Sequence, residues 1–144
     1  MQNFSGKHVI IIGAGRQGTA LSRYLVEHGA QVTLTDNRTE DQIGSLSDLC
    51  ASGVKLSLGG HDPALLTGAD LLCLSGGVSL ALPFVREATA QGIKLSNDSQ
   101  IFLEACPATV IGITGSAGKS TTTSLVGLMA TRFNEMKGER FKVW

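Results

Sequence analysis

The sequence predicts an α/β fold, a parallel sheet of about five strands with helices on both faces. Three observations carry this expectation. His8 to Ile12 reads "HVIII", a continuous β-branched apolar run of the kind found in strands buried on both faces. Strand and helix signals alternate from Lys7 to about Ala105, and parallel neighbours need crossover connections of helical length. A glycine-rich turn, Gly13 to Gly18, joins the first strand to the first helix.

The elements follow in order. Leu21, Tyr24 and Leu25 recur at helical spacing, with Ser22, Arg23 and Glu27 on the other side. Gly29 closes that helix, and "QVTLTD" is the second strand. Thr39 and Gln42 stand at capping-box spacing ahead of Ile43, Leu46 and Leu49, which predicts one short helix. "VKLSLGG" is the third strand, and Asp62-Pro63 pairs a cap residue with a proline suited to a first helical turn. "ADLLCLSGG" is the fourth strand, Pro83 to Gln91 a helix stopped by Gly92, and "IKLS" a short fifth strand. Asn97 or Asp98 caps a last helix carrying Ile101, Phe102 and Ala105. Pro107 is the seam. Beyond it "TVIGITG" predicts a fresh strand, loop and helix, with Leu125, Val126, Leu128 and Met129 on the helix. The division expected is therefore 1–107 as one complete domain and 108–144 as the opening of a second.

Bulk properties narrow the function. A chain of 144 residues suits one domain, or one domain and part of another. Lys and Arg number 12, as do Asp and Glu, so no electrostatic footprint for nucleic acid or a membrane surface is present. Val9 to Ile12 is too short to span a bilayer, and no signal segment opens the chain, which predicts a cytoplasmic protein. Cys50, Cys73 and Cys106 form no pair motif and are expected to be buried, reduced thiols. His8, His28 and His61 lack metal-ligand spacing.

Two loops carry chemistry. Gly13-Ala14-Gly15-Arg16-Gln17-Gly18 follows a strand and opens a helix, the context a dinucleotide fingerprint requires. The first glycine permits the tight turn, the second admits a phosphate close to the backbone, and the third lets helix pack against strand. Asp36 ends the second strand, where an acid can accept hydrogen bonds from ribose hydroxyls. The pattern admits NAD, another anionic nucleotide on the same helix N-terminus, or a Rossmann-like turn without a ligand. Ser75-Gly76-Gly77 ends the fourth strand and faces the same crevice across the switch point, as a ligand contact or as a plain turn.

The second loop is "GITGSAGKSTTT". Ile113 breaks the strict Walker pattern, yet Gly112, Gly115 and Gly118 bracket the loop ahead of Lys119, Ser120 and Thr121. Small residues let NH groups point at phosphate oxygens, and the helix dipole adds to them. Lys119 can reach the β- and γ-phosphates of ATP, and Ser120 or Thr121 can offer a hydroxyl to Mg2+. The bland alternative is a strand-to-helix turn with a solvated lysine. A dehydrogenase has no need of the second loop, and a plain P-loop ATPase has no need of the first.

In combination these residues resemble the Mur ligase family, which assembles the peptide of bacterial peptidoglycan. "VIIIGAGRQG" is similar to the family's opening strand and UDP loop, and "TDNR", Thr35 to Arg38, to its Asp-x-Arg segment around uracil. "LSGGVSLALP" resembles its Ser-Pro-Gly stretch, with Gly76 where proline is usual. "GITGSAGKSTTTSLVG" resembles its ATP loop, with Ser116-Ala117 in place of Thr-Asn. Gln100 stands where an acid is common.

The resemblance implies a ligase that uses ATP and Mg2+ to add D-glutamate to UDP-N-acetylmuramoyl-L-alanine through an acyl phosphate. It implies a UDP-substrate site at Gly13, Gly15, Arg16, Gln17, Gly18, Asp36, Asn37, Arg38, Ser75, Gly76 and Gly77. It implies an ATP site at Gly115, Ser116, Ala117, Gly118, Lys119, Ser120 and Thr121, with Lys119 catalytic and Ser120 on the metal. The family has three domains. Against that plan the chain corresponds to the first and the start of the second, an amino-terminal piece expected to be inactive alone and to self-associate through residues 109–131. The rival class is an NAD-type regulatory module, which leaves Lys119 unexplained.

Overall fold

Successive side chains of β1 (His8–Ile12) point into two different cores, and this is why the run is apolar without interruption. In the computed structural model, which describes residues 3–137, Val9 and Ile11 pack on one face of the sheet and Ile10 and Ile12 on the other. The sheet has five strands, all parallel: β2 (Gln31–Asp36), β3 (Lys55–Leu58), β4 (Leu71–Leu74) and β5 (Lys94–Ser96) join β1. Their spatial order is β3-β2-β1-β4-β5, with Ile11 paired to Leu34 on one side and Cys73 on the other. The chain thus winds outward from β1 in one direction and then the other, leaving a topological switch point between β1 and β4.

One face is covered by α1 (Arg16–Glu27), whose Leu21 and Leu25 meet Val9, Ile11, Val32 and Leu34. Leu49 of α3 (Ser47–Ala51) and Ile101 of α5 (Asp98–Ala105) complete that core. The other face is covered by α4 (Pro83–Ala90), through Phe84, Val85 and Ala88, and by Leu66 of a 3-10 turn, Pro63–Leu66. The caps behave as their chemistry dictates. Asp62 accepts from the Ala64 NH at 2.9 Å, and Asn97, rather than Asp98, accepts from the Gln100 NH at 2.8 Å. Among the described residues no buried side-chain nitrogen or oxygen lacks a hydrogen-bond partner.

Three expectations are corrected. The single helix expected over Thr39 to Leu49 is two, α2 (Glu40–Ile43) and α3, because Gly44 at φ +93° turns the chain out of the helical region between them. Gln42 does reach back, accepting from the Thr39 NH at 3.0 Å. Of the three thiols only Cys73 is buried, while Cys50 is exposed and Cys106 intermediate. Third, Thr109 to Gly112 forms no strand. A strand needs ladder partners for its NH and CO groups, and this segment has none among the described residues.

The chain divides into two compact units, Met1–Pro107 and Ala108–Trp144. In the second, an open loop leads into α6 (Lys119–Lys137), a helix of 19 residues. Residues 138–144, the remainder of the expected second segment, lie outside the described residues.

Candidate nucleotide-binding site

The first unit carries its site at the carboxyl ends of β1 and β4. The Gly13 NH donates to the Thr35 carbonyl at 2.8 Å and the Ser75 NH to the Ile12 carbonyl at 3.1 Å, so both turns leave the sheet at the same level. Gly13 has φ +103°, and an added Cβ there would lie 3.0 Å from the Ser75 Cβ. A Cβ on Gly18 would run into the Gly13 carbonyl oxygen. These two glycines are therefore packing requirements. Gly15 differs, since nothing lies within 4 Å of its Cβ position. That open space, at the start of a helix with no acid in its first turn, is where an anion can approach the backbone.

Between the turns lies a crevice of about 1260 Å³. It is bounded by Gly13, Gly15, Arg16, Gln17 and Gly18 on one side and Ser75, Gly76 and Gly77 on the other, with Arg38 also lining it. The structure thus brings together nine of the eleven positions expected to hold the UDP substrate. Asp36 and Asn37 are not in the lining: Asn37 is exposed to solvent, and Asp36 is buried.

Asp36 has a full set of protein partners. Its carboxylate accepts from the Ala14 NH at 2.7 Å, the Arg38 NH at 2.9 Å, Arg38 Nε at 3.0 Å and Arg38 Nη2 at 2.8 Å. The Arg38 side-chain hydrogen bonds hold the carboxyl well below the usual carboxylate range, with the two backbone donors helping and burial opposing. The same pairing raises the Arg38 guanidinium above its ordinary value. Asp36 thus pins the glycine turn and aims Arg38, whose side chain remains half exposed.

Other features of the site escaped the sequence reading. Leu21 and Tyr24 of α1 and Phe102 and Leu103 of α5 give the crevice an apolar flank. The signal was the exposed pair Phe102 and Leu103 on a helix needing only Ile101 for its core. Outside the lining, Thr35 Oγ1 donates to the Gly60 carbonyl at 3.0 Å and sits 3.0 Å from His61 Nδ1.

In the second unit, Gly115 and Gly118 have φ of +151° and +77°, so the loop before α6 takes a path only glycine follows easily. Lys119 folds back over it, donating from Nζ to the Gly115 carbonyl at 2.7 Å. Ser116, Ala117, Ser120 and Thr121 are all exposed around the helix N-terminus. Among the described residues no group of three or more His, Cys, Asp or Glu is placed to hold a metal.

The family model for the Mur ligase MurD-like N-terminal domain matches residues 7–97. The chain belongs to that family. It is 41% identical over 127 residues to the UDP-N-acetylmuramoylalanine–D-glutamate ligase of Syntrophotalea carbinolica, a match covering 88% of this chain and 28% of that enzyme. Identity is also 41%, over 128 residues and the same shares, with the ligase of the same name from Pelotomaculum thermopropionicum. Among solved structures, a pseudomurein peptide ligase type C from Methanothermus fervidus aligns with a TM-score of 0.60 and 27% identity, over 88% of this chain and 26% of that one. The chain spans about 28% of the length of the curated relatives it matches. No helix among the described residues is long and apolar enough to cross a membrane.

Proposed function

We propose that this chain is the uridine-nucleotide-binding part of an ATP-dependent amide ligase that joins D-glutamate to UDP-N-acetylmuramoyl-L-alanine in peptidoglycan synthesis in the cytoplasm. The observation that carries it is Arg38, held by Asp36 and lining a crevice between two glycine turns. A planar guanidinium so fixed can stack on a pyrimidine ring, while the open Gly15 backbone and the start of α1 receive the diphosphate. Asp36 then acts as a positioning residue, and Asn37, exposed beside it in the chain, is a further candidate contact.

ATP and Mg2+ belong to the same reading. Gly115 to Gly118 would cradle the phosphates, Lys119 would neutralise them, and Ser120 or Thr121 would offer a hydroxyl to the metal. When bound, ATP supplies the phosphoryl group that activates the substrate carboxylate. Alone, this chain is expected to bind nucleotides without useful turnover. Magnesium-dependent phosphate release that disappears in Lys119→Ala would contradict that.

Calorimetry with UDP and NAD tests the central claim. Uridine nucleotide is expected to bind more tightly than NAD. Tight NAD binding with no response to UDP would assign the crevice to a dinucleotide-sensing module instead.

A further inference from the structure

We propose that Gln17 is the specificity gate of the crevice and that Gly76 is its matched partner, an inference that rests on the uridine-nucleotide site above. It starts from a glycine without a backbone reason to be one. Gly76 is not among the glycines with positive φ, so its conformation is open to any residue. The three atoms nearest its Cβ position all belong to the Gln17 carboxamide: Oε1 at 3.1 Å, with Cδ and Nε2 at 4.0 Å. Glycine at 76 therefore leaves a niche, and the end of the Gln17 side chain lies in it. A methyl group at 76 would crowd the carboxamide, which has to shift to make room.

The contact sits where two cavities meet. Beside the crevice of about 1260 Å³ is a second of about 550 Å³ at the carboxyl ends of β4 and β5. Gln17, Ser75, Gly76 and Gly77 line both, so the carboxamide stands in the shared wall. Arg38 lines only the larger cavity, whereas Ser96, Asn97 and Gln100 line only the smaller. Each is large enough for an organic ligand, since such sites run to roughly 300–1,000 Å³. A nucleoside diphosphate beside Arg38 is accommodated by the first alone. A group attached beyond the diphosphate can reach the second past the exposed Gln17 side chain, and the serines and amides there, set among aliphatic side chains, can meet a sugar. Gln17 is exposed, so a polar ring with hydroxyl and acetamido groups can take the place of the carboxamide at the wall while the displaced amide stays hydrated. The gate thus discriminates between nucleotides that end at the diphosphate and nucleotides that carry a sugar.

The test compares two probes, UDP and UDP-N-acetylglucosamine, by calorimetry on the full chain. In Gln17→Ala the ratio of sugar-nucleotide to UDP affinity is expected to rise about threefold or more, and in Gln17→Asn by less. Gly76→Ala should shift the ratio in the same direction when residue 17 is Gln and leave it unmoved when residue 17 is Ala. A ratio unchanged in Gln17→Ala would overturn the gate. So would a Gly76→Ala effect of equal size in both backgrounds, because the two residues would then be acting independently. Failure of the unaltered chain to bind UDP at all would instead remove the nucleotide site, and the gate with it.

Discussion

At Asp36 one carboxylate serves two segments, tying the turn after β1 through Ala14 and the loop after β2 through Arg38. Hydrogen bonds to charged groups contribute about 1.5–3 kcal/mol, so Asp36→Asn should lower the melting temperature as well as weaken nucleotide binding. The pH dependence follows from the sign of the shift. Folding holds this carboxyl below its ordinary 3.8, so its contribution is complete above that pH and is lost as pH falls further. Acid unfolding of Asp36→Asn should accordingly be less steep below pH 3.8 than that of the unaltered chain. His61 works in a separate window. Burial lowers its pKa, with the Asp36 charge opposing, so its protonation disfavours folding as pH drops below 6.5. The two inner glycine positions make a sharper comparison. Gly18→Ala should destabilise the domain strongly, because its methyl would meet the Gly13 carbonyl, while Gly15→Ala should melt almost normally and bind nucleotide more weakly. Thermal melts beside calorimetry separate them. The glycine spacing was legible in the sequence. The inward turn of Asp36 was not, because its partner NH on Ala14 comes from a different strand end and no local pattern announces it.

Among the elements, β1 and α1 were plain from residue order alone, since a strand covered on both faces must be apolar throughout and a helix covered on one must be periodic. Leu25 of α1 is fully buried against the sheet, and Leu25→Ala should cost about 2–5 kcal/mol in chemical denaturation. Boundaries were less legible where one residue decides them, as Gly44 does between α2 and α3. The missing strand at Thr109 to Gly112 shows the limit of pattern reading: apolar β-branched residues mark a strand only when a neighbour supplies the other half of its ladder. On α6 the expected apolar residues are present, and Leu125, Leu128 and Met129 are exposed. An uncovered row of this kind favours association. Sedimentation should show concentration-dependent self-association that Leu128→Glu weakens, and a monomer at high concentration would disprove this.

For the whole molecule, the order β3-β2-β1-β4-β5 decides where binding can occur, because only between β1 and β4 do successive connections diverge. Alternating strands and helices predicted that sheet, and the two turns flanking the switch point could be located from glycines. The apolar flank and the shared wall at Gln17 could not, since both arise from helices and turns brought together across the sheet. The same packing has a practical use. Cys73 lies in β4 with no exposed surface, and burial, aided by the Asp98 charge, pushes its thiol up to about 12. A thiol that is both covered and protonated reacts with an alkylating reagent only in molecules whose sheet has come apart. With Cys50 and Cys106 replaced by serine, the alkylation rate becomes a clock inside the domain, ticking at the frequency with which β4 leaves β1. A uridine nucleotide seated across the two turns should slow that clock in proportion to its occupancy, and a ligand that merely adheres elsewhere should leave it running at the same pace.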